Sequence, residues 1–338
     1  MEPKQKTEQD TTVGKEHFVQ KTEYLDEKLL AYSQTDAYPF HMPGHKRQSM
    51  GNWTGEAIDI TEITGFDNLH HAEGILQEAQ CRAAETFGAD ETFFLINGST
   101  AGLLSAICGT VRRGGRLLMA RNCHKAVYHA VYLMELKTAY LYPEQTDFGI
   151  QGSISPEQVR DMLEQYPYTE AVLLTSPTYD GVVSDNEAVR SGCRQAAFCA
   201  HSRYTDPRQR QAPSAEIPVR NRNAHRGPHP RSVVHLFHAP ELQSLQYRKN
   251  PWIDLERVKQ YLGIYQTSSP SYILMAGIDR CTRILREQGT ELFAAYEQRL
   301  HDFYEKCRTL QRIPRPDARI IFPVFSDFPI RGKHSDPL

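Results

Sequence analysis

The sequence predicts an α/β fold: a mostly parallel sheet with helices on its flanks. Three observations predict it. Short apolar runs of strand length recur along the first half of the chain, segments of helical apolar spacing separate them, and glycines or capping residues sit at the joints. The 338 residues correspond to roughly two domains by length. With 40% hydrophobic and 24% charged residues, composition excludes wholesale disorder and fibrous classes.

The first 20 residues are polar and read as a tail, not a secretory signal, and residues 23–33 read as a short helix. From Gly74 the apolar positions Ile75, Leu76, Ala79, Ala83, Ala84 and Phe87 recur at helical spacing, and Gly88 stands where that helix would stop. Residues 92–96 (TFFLI), 116–119 (RLLM), 138–142 (TAYLY) and 171–175 (AVLLT) read as strands. Between them, a small-residue helix starts at Ala101 and another spans 125–136. A third opens with Ser155 as N-cap, Pro156 at N1 and Gln158 at N3.

The character of the chain then changes. Residues 190–248 hold ten arginines, no lysine, three acids, five histidines and six prolines, and apolar periodicity fades. Helices are expected again over 254–262, 271–287 and 290–312. The last would carry Leu292, Phe293, Tyr296, Leu300, Phe303, Cys307 and Leu310 on a core-facing stripe. The tail after Ile313 reads as neither helix nor a clear βα unit.

Charge and cysteines narrow the function classes. Lys+Arg 39 against Asp+Glu 41 leaves −2, no field for drawing nucleic acid or anionic lipid. The seven cysteines are scattered with no C-x-x-C pair, which points to reduced thiols in the cytoplasm and no zinc site. No apolar run approaches the roughly 18 residues of a membrane span.

Three segments could carry chemistry. Asn97-Gly98-Ser99-Thr100-Ala101-Gly102 lies between a strand and a helix start, where backbone N–H groups and hydroxyls can bind phosphate. The same residues also suit a plain N-cap with a turn glycine, and they match neither the P-loop nor the G-x-G-x-x-G spacing. His124 follows a strand at the carboxyl edge of the sheet, where α/β sites open, although a lone histidine also serves as an ordinary loop or core residue. Ser176-Pro177-Thr178-Tyr179-Asp180-Gly181 ends the next strand on that edge. His41 and His45 are spaced i, i+4, but Pro43 and Gly44 between them argue against a helical metal pair.

Six motifs together resemble the ornithine/lysine/arginine decarboxylases: HMPGHK (41–46), ITEITGFDNLH (60–70), INGSTAG (96–102), RNCHKAVYHA (121–130), TSPTYDGVVSD (175–185) and YLGIYQTSSPSY (261–272). The resemblance covers about 36–189 and 252–312. It implies a fold-type-I, pyridoxal-phosphate-dependent large domain over 36–312, preceded by a tail and short helix over 1–35. Residues 313–338 would be the remnant of a shortened C-terminal region. By the same resemblance, Ser99, Thr100 and the Ala101 amide hold the pyridoxal 5'-phosphate phosphate group, His124 stacks on the ring, and Thr178 lines its face. Ser268 or Ser269 would reach a phosphate in a neighbouring protomer, which implies a homodimer. His41, His45 and Lys46 would stand near the entrance, and Lys125 would not be the Schiff-base lysine. The implied substrate is a small basic amino acid, with no nucleic acid or membrane partner.

Members of that family follow the segment ending in S-D with a strand ending in D-E-A-H-G and later S-x-H-K. Its Asp pairs with the pyridine nitrogen and its Lys attaches the cofactor. Both should fall within 190–248, where this chain has no lysine and where Asp206 lacks the matching context. Three accounts of the segment stand: a reading-frame change in the coding DNA, a natural Arg-rich surface insertion, or a nucleic-acid-binding arm. Residues 196–200, 230–235 and 239–243, with suitable codons read one nucleotide later, yield the hydrophobic strand and the flanks of S-x-H-K, though not the lysine itself. The activity implied is therefore decarboxylation of arginine, lysine or ornithine, or else an inactive relative without its catalytic lysine.

Overall fold

The computed structural model describes residues 22–48, 55–146, 149–193, 196–202, 233–237, 244–247 and 253–307. Seven strands form one sheet: β1 (Glu91–Phe94), β2 (Arg116–Ala120), β3 (Lys137–Leu141), β4 (Thr169–Thr175), β5 (Ala197–Ser202), β6 (Val233–Phe237) and β7 (Ser244–Tyr247). Their order is β1-β7-β6-β5-β4-β2-β3. Strand β7 runs antiparallel to both neighbours, and every other pairing is parallel. The helices are α1 (Leu25–Ser33), α2 (Ile75–Phe87), α3 (Gly98–Thr110), α4 (Lys125–Leu133), α5 (Pro156–Gln165), α6 (Asn186–Gly192), α7 (Leu255–Tyr265) and α8 (Tyr272–Cys307). No helix among the described residues is long and apolar enough to cross a membrane.

Strands β2 and β4 are apolar on successive residues because both sheet faces are covered there. On one face Leu117, Met119, Ala171, Leu173, Ala197 and Leu245 meet α3, α4 and α7. On the other, Leu118, Ala120, Val172 and Leu174 meet Val159 of α5 and Val189 of α6. Helices α3 and α7 touch closely: a Cβ on Gly109 would lie 2.6 Å from Val258 Cγ2 and 2.7 Å from its Cα. A third cluster joins α1, α2 and α8 around Phe87, Phe94 and Tyr272. Within it the Asp279 carboxylate, fully buried, pairs with Arg82 at 2.9 Å and accepts the Leu25 N–H at 2.9 Å. That carboxylate therefore ties the first turn of α1 to α2 and α8.

Local signals account for most helix ends. Gly88 adopts φ 61° and closes α2 with N–H bonds to the Ala84 and Glu85 carbonyls. The Ser155 hydroxyl accepts from Gln158 N–H at 3.1 Å, with Pro156 in the first turn. Helix α2 has no side-chain cap at Gly74. Asp67 takes that role from outside the helix, accepting from Gly74 N–H at 2.8 Å and Leu76 N–H at 3.0 Å. Burial raises the Asp67 pKa, but these bonds and those from Glu73 and Asn68 outweigh it and hold the carboxyl below 3.8.

Of 190–248, residues 190–193, 196–202, 233–237 and 244–247 are described, and they include strands β5, β6 and β7, which complete the middle of the sheet. Their sequences, AFCAHS, VVHLF and SLQY, are short and set among arginines and prolines, so pairing with β4 and β1 selects them more than local pattern does. The helices expected over 271–287 and 290–312 are one continuous 36-residue helix, since Gly289 costs only about 1 kcal/mol in a helix interior. Of the stripe expected to face the core, Leu292, Tyr296 and Phe303 are instead 45%, 42% and 57% exposed. The expected tail over 1–20 and the region after Ile313 lie outside the described residues.

Candidate functional site at the carboxyl edge of the sheet

Parallel strands place the loops that follow them on one edge, and the three candidate segments follow β1, β2 and β4. After β1, Gly98 turns the chain with φ 75°, a conformation that favours glycine, and α3 starts. Ser99 and Ala101 are buried and Thr100 is exposed in its first turn. Asn97 makes no side-chain cap to α3, because its Oδ1 accepts instead from Thr267 N–H at 3.1 Å. The first N–H groups of α3 are thus without an Asn97 side-chain partner, in an orientation that suits an anion. From this turn α3 passes under β4, β5, β6 and β7.

After β2, His124 is the N-cap of α4, and its Nδ1 accepts from Ala126 N–H at 3.2 Å. That bond fixes the ring plane and puts the ring proton on Nε2. Lys125 is exposed in the first turn of α4. Cys123 lies beside Thr175 at the end of β4. Burial pushes its thiol up to about 12, against smaller opposing pulls from the Thr175 hydroxyl and the Ala120 N–H, so it is no nucleophile at neutral pH. The neighbouring Asn122 Oδ1 is buried with no hydrogen-bond partner among the described residues.

After β4, Thr178 is buried in a tight turn. Its N–H donates to Val182 O at 2.8 Å, and its Oγ1 accepts from Val182 N–H at 3.1 Å. The hydroxyl keeps its own proton to donate. Ser184 braces the turn, its N–H on Ser176 Oγ and its Oγ on Ile154 N–H, both at 3.0 Å. Ser268 and Ser269 are exposed in the loop between α7 and α8, next to Thr267 and so beside the turn of their own chain. His41 and His45 face different partners, Tyr32 OH at 3.2 Å and Asp59 at 3.4 Å, while Lys46 Nζ donates to His41 O at 2.6 Å. No cluster of three potential metal ligands occurs among the described residues.

Tested against the phosphate and pyridine ring that the sequence resemblance implies, the edge fits in part. An uncapped helix terminus, a histidine of fixed ring plane and a buried threonine suit the phosphate and the ring face. Groups for the ring nitrogen and the aldehyde are not found among the described residues of β5 and β6. Strand β5 reads AFCAHS and β6 reads VVHLF, with neither carboxylate nor ammonium. Aligning Ala200-His201 with the A-H of D-E-A-H-G puts Phe198 and Cys199 where that pattern has its acids. This partial A-H-S match, paired through His201 to Thr175 of β4, was the one signal that could have located β5 from sequence.

A groove of about 1010 Å³ lies elsewhere, between α2, the outer edge of β1 and α7, with His70, Gln80, Phe94, Lys259, Gln266 and Ser268 among its lining. It includes none of Ser99, Thr100, His124 or Thr178.

Comparison with known proteins agrees with this architecture. Residues 24–317 match the family described as Orn/Lys/Arg decarboxylase, major domain. The chain is 30% identical over 304 residues to the uncharacterized protein YaaO of Bacillus subtilis (strain 168), covering 85% of this chain and 60% of that one. It is also 30% identical over 310 residues to an arginine decarboxylase of Bacillus cereus, covering 87% and 65% respectively. It therefore spans less than two thirds of the length of either relative. The solved constitutive lysine decarboxylase of Escherichia coli superposes with a TM-score of 0.71 at 19% identity, covering 87% of this chain and 45% of that one. A methionine aminotransferase of the same organism, YbdL, superposes at 0.53 and 14% identity over 87% and 78%. At such identities the likeness shows the fold alone.

Proposed function

The chain belongs to the Orn/Lys/Arg decarboxylase family, and from that premise we propose that it is a pyridoxal 5'-phosphate-binding unit of the basic-amino-acid decarboxylase type which does not itself complete decarboxylation. Ser99, Thr100 and the Ala101 amide would hold the phosphate, His124 the ring and Thr178 its face. When bound, the cofactor supplies a ring that accepts the electron pair left as the substrate carboxylate departs as carbon dioxide. The protein's own contribution is narrower. The α3 terminus binds the anion, the His124 ring is oriented by the Ala126 N–H donating to its Nδ1, and the Thr178 hydroxyl offers one donor. The observation that carries the reading is the absence of any lysine from 190 to 248, joined to β5 and β6 ends without a charged group.

A second reading, that the chain decarboxylates arginine, lysine or ornithine itself, is favoured by one finding. The strands that should carry the missing groups hold their places in the sheet, β5 beside β4 and β6 beside β5. It requires a lysine recruited from outside 190–248. Borohydride reduction in the presence of the cofactor, followed by peptide mapping and measurement of carbon dioxide release, separates the two. The first expects reversible binding, no covalent pyridoxyl-lysine and no gas above background. A mapped adduct with carbon dioxide from any of the three substrates establishes the second.

The site is further proposed to work in a homodimer, with Ser268 or Ser269 serving the partner's phosphate. Their exposure supports this, as do the exposed rings of Tyr38 and Phe40, the latter 90% exposed. Sedimentation of the full chain as a monomer at every concentration would refute it.

A further inference from the structure

We infer that Gln266 is a positioning residue for the phosphate-binding turn, acting as a side-chain substitute for a missing strand at the end of β1. The inference rests on the cofactor reading above for its function, and on hydrogen-bond geometry for its structure. Strand β1 lies at the edge of the sheet and pairs only with β7. Backbone groups on its outer side need other partners. Two glutamines supply them. Gln80 Oε1 accepts from Phe94 N–H at 3.1 Å, and Gln266 Nε2 donates to Phe94 O at 3.3 Å. Gln266 Oε1 also accepts from Ile96 N–H at 2.8 Å. One carboxamide thus bridges the last residue of β1 and the residue just before Asn97.

Gln266 is itself well anchored. It is 7% exposed, and its N–H donates to Leu262 O at 3.1 Å as the C-cap of α7, the helix packed against Gly109 of α3. The next residue completes the clamp. Thr267 N–H donates to Asn97 Oδ1 at 3.1 Å, and Thr267 O meets His70 Nε2 at 2.8 Å. An asparagine at this place ordinarily turns its side chain onto the N2 or N3 amide of its own helix. Here it is engaged by Thr267, and the α3 terminus keeps no such cap. Gln266 therefore sets both where the turn stands and which groups remain for an anion. Sequence spacing alone does not reveal this, since Gln266 is 170 residues from Ile96.

The test uses the full chain and compares pyridoxal 5'-phosphate with pyridoxal, which lacks only the phosphate. Gln266→Leu removes both bonds. Gln266→Glu keeps an acceptor for Ile96 N–H and loses the donor to Phe94 O. The expected result is roughly tenfold weaker binding of the phosphorylated ligand by Gln266→Leu, a smaller loss by Gln266→Glu, and pyridoxal binding unchanged in both. Amide exchange at Thr267 should rise in Gln266→Leu along with that at Ile96. Equal losses for the two ligands would overturn the proposal, because they would mean general unfolding. Unchanged phosphate-ligand binding, or unchanged exchange at Thr267, would also overturn it. If the parent chain binds no pyridoxal 5'-phosphate, the cofactor reading fails, and the Thr267 exchange alone then decides the clamp.

Discussion

The turn after β1 and the ends of β5 and β6 are two sides of one sheet edge, and they have different histories in the sequence. At the turn, backbone and side chains agree: Gly98 takes a positive φ, Asn97 is drawn away by Thr267, and α3 begins without a side-chain cap from Asn97. At β5 and β6 the backbone is in register, Ala171 opposite Ala197 and Phe198 opposite Val233, while the residues carry no acid or lysine. Strand pairing needs amide groups and some apolar bulk, which Ala-Phe-Cys-Ala and Val-Val-His-Leu-Phe provide. Catalysis needs particular functional groups, and there the tolerance ends. A strand can thus hold its place in a sheet whatever functional groups its residues carry.

The strongest way to break this comparison is the chemical one. With the turn intact and the lysine absent, carbon dioxide release from arginine, lysine or ornithine should stay at background. Activity tracking with a reduced pyridoxyl-lysine would show that the two sides are functionally equal after all.

A thermodynamic comparison is next in size. Leu117 in β2 and Leu245 in β7 are both fully buried in the same cluster. If β7 is packed as tightly as β2, Leu117→Ala and Leu245→Ala should each lower unfolding free energy by about 2–5 kcal/mol in denaturant titrations. A full loss at Leu117 with less than about 1 kcal/mol at Leu245 would mean that the strands of 190–248 are only loosely docked.

Thiol titration probes the junction between the two sides. Burial pushes both Cys123, before α4, and Cys193, just before β5, from the ordinary thiol value near 9.0 up to about 12. A raised folded pKa stabilises fully below pH 9, and that contribution is lost as pH rises from 9 toward 12. Stability should therefore fall by roughly 1 kcal/mol per thiol between pH 9 and 10. Exposed Cys81 should be alkylated in the native protein at pH 8 while both buried thiols are spared. Rapid labelling of Cys193 with Cys123 protected would place the looseness at the α6–β5 junction.

A single substitution sharpens the turn itself. Gly98→Ala puts a Cβ on a residue at φ 75° and should cost about 1–2 kcal/mol, with a matching loss of phosphate-ligand affinity. No change in either would mean that the turn relaxes without consequence.

Much of this molecule is determined by its sequence alone. The runs LLM and AVLLT are long enough in apolar residues to be strands buried on both faces. Gly88 and Ser155 end and begin their helices through bonds within a few residues. The turn at 97–101 and the lack of lysine over 190–248 are readable without coordinates. Tertiary structure decided the rest, wherever the partner lies far along the chain. Strands β5, β6 and β7 exist because β4 and β1 offer backbone groups to pair with. Gly289 stays helical because α8 is continuous on both sides of it, and Leu292, Tyr296 and Phe303 of α8 remain exposed. Asp67 caps a helix that starts eight residues later, and Gln266 completes an edge strand from 170 residues away. Local patterns report what a segment can form. Which distant hydrogen-bonding groups and apolar faces meet it is a property of the whole fold, and those encounters placed the strands and shaped the turn.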